Sequence, residues 1–199
     1  MNKEQLLNEW LKEEKVAHIK GWDFSHLQDR YVEEDQLPWD FYAVIKKYLT
    51  SDMQLLDMET GGGEFLLSLN HPKNMTSAIE GYKPNVDYCR KILLPLGIDF
   101  KKADGEDVLP FTDQYLKIKE QELRDNHFEI IESGEVFQPI KFYDVGALVW
   151  FARIIEWEFV GFSVESCLEN LYNAQRILEE KGVIEGKIHR FYIVARKKD

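Results

Sequence analysis

The feature that most constrains the fold is a run of three glycines placed between a short apolar segment and an amphipathic one. Within residues 54–67, the apolar segment ends at Asp57, the glycines occupy 61–63, and apolar residues then recur at helical spacing. This order predicts a buried parallel strand that turns through a tight loop into a helix. Glycines accept positive φ angles and let a ligand approach the backbone, and a helix start offers unpaired N–H groups. The turn is therefore typical of a nucleotide-type cofactor site in a doubly wound fold.

The segments after this turn alternate between helix and strand. In order, the pattern predicts a helix (64–69), a strand ending at Glu80 (75–79), a helix (83–93) and a strand ending at Asp104 (98–103). Three strands that alternate with two helices predict a right-handed parallel sheet.

Helical segments flank this core on both sides. The N-terminal segments are an amphipathic helix over 3–16, an aromatic and polar loop over 19–37, and a helix from Pro38 to about Leu49. The C-terminal segments are a charged helix (115–125), a strand (128–136), a buried apolar helix (143–159), a helix closed by Gly182 and a last strand (188–195). We expect one domain with an N-terminal helical cap at 1–50, a cofactor-binding half at 51–113, and C-terminal helices and last strands at 114–199.

Composition and charge narrow the class of partner. The chain has 25 Lys and Arg against 36 Asp and Glu, a formal charge of −11. This balance disfavours broad attraction to phosphate backbones, so a small molecule is favoured over RNA. No apolar run has the length of a membrane span, and the first residues do not resemble a secretory signal, so we expect a cytoplasmic protein. Cys89 and Cys167 are far apart and predict buried thiols, with no disulfide or metal site.

The residues of the turn indicate which cofactor it accepts. A dinucleotide fingerprint needs a further glycine at the position of Leu66, and Glu59 would repel a pyrophosphate. S-adenosylmethionine instead carries a sulfonium and an ammonium group, which Asp57 and Glu59 complement electrostatically. Glu80 lies 23 residues after Asp57, close to the spacing of about 20 for a ribose-binding acid. Asp104 and Gly105, at the end of the next strand, are placed to touch the adenine amino group.

Each of these residues also has a structural interpretation. Asp57 could be a turn acceptor, and Glu80 and Asp104 could be ordinary acids at strand ends. Glu59 could be exposed, and we expect it to have an ordinary backbone conformation, because a positive φ would cost about 1–2 kcal/mol in a non-glycine residue.

The glycine turn resembles that of the class I S-adenosylmethionine-dependent methyltransferases, specifically their type 11 group. In that family a strand ending in an acid leads into a Gly-x-Gly-x-Gly loop. Asp57 matches the acid, Gly61 and Gly63 match the second and third glycines, and Glu59 replaces the first.

The resemblance covers roughly residues 50–113. Glu80 matches the family's ribose acid, and Asp104-Gly105 followed by Leu-Pro-Phe at 109–111 matches its adenine-side motif. It implies S-adenosylmethionine as cofactor and a cofactor site formed by Asp57, Glu59, Gly61, Gly63, Glu80, Asp104 and Gly105.

The sequence departs from the family after Asp113. The family continues there with a fourth strand, a helix and a fifth strand, which need roughly 30 residues or more, whereas this chain passes directly to Tyr115. We therefore expect an α/β fold with a Rossmann-like methyltransferase sheet reduced to about five strands, N-terminal helices and a helical C-terminal half. The last strand, 188–195, would pair antiparallel beside the glycine-loop strand, or the exposed edge would form a homodimer.

Two functions follow as expectations. The first is an S-adenosylmethionine-dependent methyltransferase that acts on a small-molecule acceptor, with RNA less favoured. The second is a binding or structural homologue that has lost its central strands and does not turn over. The sequence assigns no catalytic residue, although the N-terminal loop offers His26, Arg30 and Tyr31, with Trp22 or Trp39 as walls.

Overall fold

The computed structural model of the chain describes residues 2–19, 21, 23–34, 36–103, 115–156 and 158–198. The helices are α1 (Lys3–Val16), α2 (Phe41–Tyr48), α3 (Glu64–Ser68), α4 (Lys83–Leu93), α5 (Tyr115–Asp125), α6 (Val145–Ile154) and α7 (Leu168–Lys181). The strands are β1 (Tyr31–Glu33), β2 (Leu55–Met58), β3 (Thr76–Glu80), β4 (Asp99–Lys102), β5 (Phe128–Phe142) and β6 (Ile184–Lys197). Short 3-10 turns occupy Ser25–Leu27, Lys73–Met75 and Leu94–Leu96. In these described ranges, no helix has the length and apolar character needed to cross a membrane.

The chain divides into two compact units, which we describe separately. Unit 1 comprises Met1–Ala17, Leu27–Pro38 and Val108–Asp199, and unit 2 comprises His18–His26 and Trp39–Asp107. The sheet of unit 1 has the strand order β1-β5-β6 and is antiparallel, whereas that of unit 2 has the order β2-β3-β4 and is parallel. The α/β class predicted from the sequence is confirmed.

Unit 2 contains the predicted parallel strands. Leu55 of β2 lies opposite Thr76 of β3, and Ser77 of β3 lies opposite Asp99 of β4. Residues from α3, α4 and the strands form its core, namely Leu66, Leu69, Ala78, Val86, Cys89, Leu93, Ile98 and Phe100. The predicted alternation of three parallel strands with two helices is therefore confirmed.

The pairing of the last strand differs from the prediction. β6 pairs antiparallel with β5 from Phe128 opposite Lys197 to Phe142 opposite Ile184, and β1 pairs with the other edge of β5. The prediction that this strand closes the parallel sheet beside β2 is wrong, as is the prediction of a single sheet of about five strands. The four residues of β2 could satisfy few of the backbone groups of β6, whereas the 15 residues of β5 satisfy nearly all of them. The C-terminal half is consequently part helix and part long antiparallel strand pair, not mainly helical.

The outer edge of β2 has no strand partner among the described residues. Leu56 and Met58 are 54% and 68% exposed, and they lie on the face opposite Leu55, which packs against the core. Parallel sheets are usually covered on both faces, so the exposure of Leu56 and Met58 is unusual for a strand of such a sheet. Association of two chains through this edge stays a prediction.

Unit 1 is built around α6, the apolar helix that the sequence predicted over a longer range. Its core contains Leu6, Trp10, Val145, Val149, Val164 and Leu171. Asp144 caps α6 by accepting a hydrogen bond from the Ala147 N–H at 2.7 Å. The Arg30 guanidinium donates to both Asp144 oxygens at 2.9 and 2.7 Å and to Glu13 at 2.9 Å. This ion-pair network joins α1, the segment before β1 and the start of α6.

Candidate functional site

The backbone of the glycine loop (residues 59–63) is left-handed at every second residue. The φ angles are 57° at Glu59, 62° at Gly61 and 82° at Gly63. The expectation that Glu59 has an ordinary backbone conformation is wrong. The loop has the left-handed conformation that favours glycine at all three positions, including position 59, where the residue is glutamate. Such a residue stores about 1–2 kcal/mol of strain, which is frequent at ligand sites.

A Glu59→Gly variant should therefore be more stable than the wild type. Glycine removes the strain at φ 57°. It also raises the conformational entropy of the unfolded chain, which cancels part of this gain. We therefore expect the free energy of unfolding to rise by about 1 kcal/mol. Urea unfolding measures this change. Glu59→Ala serves as the control, since alanine keeps the strain and should give no such gain. A Glu59→Gly variant no more stable than Glu59→Ala would contradict this interpretation.

Glu80 joins the end of β3 to the glycine loop. Its carboxylate accepts a hydrogen bond from the Gly61 N–H at 2.8 Å and another from the Tyr82 N–H at 2.7 Å. Each oxygen retains a lone pair for a further donor. The residue is only 4% exposed, so a ribose hydroxyl reaches this carboxylate only when the covering residues move. Glu80 thus supports the loop directly, a role that its spacing from Asp57 did not indicate.

Asp57 and Thr60 form a polar pair beneath the loop. Burial raises the pKa of the Asp57 carboxyl, and the nearby Thr60 hydroxyl opposes part of that rise. Thr60 is 8% exposed, and its hydroxyl has no hydrogen bond of regular geometry with any residue that the structure describes. The Thr60 hydroxyl nevertheless faces the Asp57 carboxyl and lowers its pKa through a hydrogen bond of irregular geometry.

The pKa of the Cys89 thiol reflects the negative charge around the loop. Its buried thiol donates a hydrogen bond to the Gly61 carbonyl at 3.0 Å. Burial, followed by the negative charges of Glu80, Glu64 and Asp57, raises the pKa of this thiol to about 11. The thiol is therefore neutral at physiological pH, and three carboxylates act on one point beside the loop. The predicted burial of Cys89 is confirmed, whereas Cys167, also predicted to be buried, is only partly buried.

The N-terminal segment at Gly21 lies against the glycine loop. The Gly21 N–H donates to the buried Asn85 side chain at 2.8 Å. A Cβ atom at Gly21 would lie 3.4 Å from a Glu64 carboxylate oxygen and 3.8 Å from the Gly62 Cα. The sequence indicated an unusual loop in this region, but it did not identify Asn85, Thr60 or Glu64. Gly62 was the feature of the sequence that could have indicated this close contact. Its φ is not positive, so its backbone conformation does not require glycine.

The other residues that the sequence predicted near the site lie outside the described residues or take part in other contacts. Asp104 and Gly105 lie outside the described residues, as do residues 109–111. Arg30 is engaged in the ion-pair network of unit 1, and the Tyr31 hydroxyl donates to Glu33. In the described parts of the chain, no group of three or more His, Cys, Asp or Glu residues could hold a metal ion.

Comparison with known proteins finds a similarity to a solved structure. No family model matches the chain, and no curated protein matches it. Its structure is similar to the crystal structure of a functionally unknown protein from Deinococcus radiodurans R1, with a TM-score of 0.52 and 12% sequence identity over 98% of both chains. At this identity the similarity concerns the fold alone.

Proposed function

We propose that the glycine loop of unit 2 binds S-adenosylmethionine and that the chain is a methyltransferase for a small-molecule acceptor. The observation that carries the proposal is the left-handed backbone at residues 59, 61 and 63, held to the end of β3 by the Glu80–Gly61 hydrogen bond of 2.8 Å. The parallel strands β2, β3 and β4 with α3 and α4 would be the cofactor-binding half of a Rossmann-like methyltransferase sheet.

The charge around the loop supports a cationic ligand. Asp57, Glu64 and Glu80 act together on the Cys89 thiol, and Glu59 adds a fourth carboxylate to the loop. A pyrophosphate placed there would meet like charge, whereas a sulfonium and an ammonium would be attracted. This preference favours S-adenosylmethionine over a dinucleotide.

The proposed reaction is a single displacement. The acceptor's nucleophilic atom attacks the methyl carbon, the bond from sulfur to that carbon breaks, and S-adenosylhomocysteine leaves with the electron pair on sulfur. Positioning and removal of water supply most of the rate for such a step. The residues that aim the acceptor are not assigned.

A second candidate is a protein that binds the cofactor without turnover. The unpartnered edge of β2 favours it, because the described residues place no strand where the family's fourth strand brings groups toward the acceptor. In this case the loop would retain its ligand but have no acceptor site beside it.

Calorimetry and a label-transfer assay test both candidates. We expect S-adenosylmethionine and S-adenosylhomocysteine to bind the full chain and NAD not to bind. Transfer of a radioactive methyl group to the small-molecule fraction of a cell extract would support the methyltransferase, and transfer to its RNA fraction would support that acceptor instead. Binding without transfer to either fraction would support the second candidate. Absence of S-adenosylmethionine binding at millimolar concentration would contradict both.

A further inference from the structure

β6 is a long edge strand that is open on one side. It pairs with β5 along its inner side, and the described residues place no strand on its outer side. Natural edge strands are usually short, interrupted by proline or a bulge, or covered, because their backbone N–H and C=O groups otherwise bind further strands. β6 runs over 14 residues without proline, and the bulge in its pairing with β5 is at Ile131 of β5. Neither proline nor a bulge therefore interrupts this edge.

The middle of β6 has the composition of a strand that pairs on both sides. Residues 188–195 are Ile-His-Arg-Phe-Tyr-Ile-Val-Ala, and most of them are β-branched or aromatic, the types that favour strands. Each of them is only half-buried. On an open edge, a segment of this kind without proline readily binds another strand. A further strand on the outer side of β6 would satisfy this edge.

The charges of β6 indicate that a second copy of the same strand fits there. A two-fold axis perpendicular to the sheet makes two identical strands antiparallel and places one residue opposite its own copy. With Phe191 on this axis, the whole of β6 is paired. Glu185 then lies opposite Lys197 of the second copy at both ends of the interface, and Arg190 lies opposite the Tyr192 ring. Opposite charges and a cation over an aromatic ring are both favourable cross-strand pairs.

The two neighbouring registers bring like charges together. With Arg190 on the axis, its guanidinium lies opposite its own copy, a repulsion that its ion pair with Glu33 only reduces. With Tyr192 on the axis, Lys187 lies opposite Lys197 of the second copy. Like charges directly opposite each other destabilise a strand pair. The sequence of β6 therefore favours one register of self-pairing, which an edge that only repelled other chains would not need.

We propose that β6 is the interface through which two copies of this chain associate. The strands pair antiparallel about Phe191 and join the two three-stranded sheets into one continuous sheet. This edge is distinct from that of β2, and the inference does not depend on the proposed cofactor.

Sedimentation equilibrium of charge-reversal variants of the full chain tests the interface and its register. We expect the wild type to form a dimer. Glu185→Lys places lysine opposite Lys197 at both ends, so the dimer should dissociate about 10-fold more readily. The Glu185 side chain is 62% exposed and pairs with Lys141, and loss of such a surface pair should leave the chain folded, as checked by circular dichroism. The double variant Glu185→Lys/Lys197→Glu reverses both charges and should restore the wild-type affinity.

A matched control and amide exchange separate this interface from any other. Asp87→Lys makes the same charge change on α4, where the side chain is 71% exposed, and should keep the wild-type affinity. In the dimer, all amides of residues 188–195 should exchange slowly with deuterium, because both sides of β6 are hydrogen-bonded.

Four results would overturn the inference. The first is a chain that stays monomeric at millimolar concentration. The second is a dimer whose affinity Glu185→Lys leaves unchanged, and the third is a double variant that associates no more tightly than Glu185→Lys. The fourth is rapid exchange of every second amide of residues 188–195 in the dimer, which would assign the association to another surface.

Discussion

A Glu80→Ala variant is expected to bind S-adenosylmethionine at least about 100-fold more weakly and to lose about 2–4 kcal/mol of stability. Two effects combine. The variant leaves the Gly61 and Tyr82 N–H groups, now bonded at 2.8 and 2.7 Å, without their acceptor, and a buried N–H without a partner costs about 1–3 kcal/mol. It also releases the glycine loop from the end of β3 and removes the proposed ribose acceptor.

Calorimetry and urea unfolding measure the two effects of the Glu80 substitution. Glu80→Gln keeps one acceptor oxygen and should fall between the wild type and Glu80→Ala in both. Asp99→Ala is the control, because the Asp99 side chain on β4 is 59% exposed and its loss should change neither quantity. Wild-type ligand affinity in Glu80→Ala would remove Glu80 from the site.

An Asp144→Ala variant should lower the free energy of unfolding by about 2–4 kcal/mol. Alanine removes the cap of α6, which typically contributes about 1 kcal/mol. It also removes both hydrogen bonds that the Arg30 guanidinium, whose side chain is 27% exposed, donates to the Asp144 carboxylate. Loss of one partner of a largely buried ion pair costs more than loss of an exposed pair.

The contribution of Asp144 should depend on pH. Burial alone would raise the pKa of its carboxyl, but the hydrogen bonds from Arg30 and the Ala147 N–H outweigh burial and lower it. A lowered pKa means that the carboxylate stabilises the folded state above its ordinary range and loses this effect as pH falls through the lowered value. Urea unfolding at pH 7 and pH 3 should show a smaller difference between wild type and Asp144→Ala at pH 3. Equal stability of the two proteins at pH 7 would contradict this role.

The local pattern of the sequence was sufficient to predict most helices and strands of unit 2 and several helices of unit 1. The strand before the glycines, the strand ending at Glu80 and the intervening helix all lie where periodicity placed them. The charged helix over Tyr115–Asp125 was also predicted at its observed bounds. These elements follow from side-chain spacing and from Pro and Gly at their ends, which act over a few residues.

The features that were missed depend on distant contacts. β6 pairs with β5, and not with β2, because β5 is long enough to form hydrogen bonds with nearly all of its backbone groups. The spacing of apolar residues within one strand does not show which other strand is the longer partner. The positive φ of Glu59 contradicts residue preference, because the hydrogen bond from Gly61 to Glu80 helps to hold the loop in its shape. The Glu64 carboxylate lies beside Gly21, which is distant in sequence.

The most direct test of the central claim is a titration of ¹⁵N-labelled protein with S-adenosylmethionine, followed through the backbone amide signals of residues 61–63. If the glycine loop binds the cofactor, these signals should shift in a saturable manner with one ligand per chain, and NAD at the same concentration should leave them in place. Amide signals of residues 61–63 that stay unchanged at millimolar S-adenosylmethionine would contradict the assignment of this loop as a cofactor site.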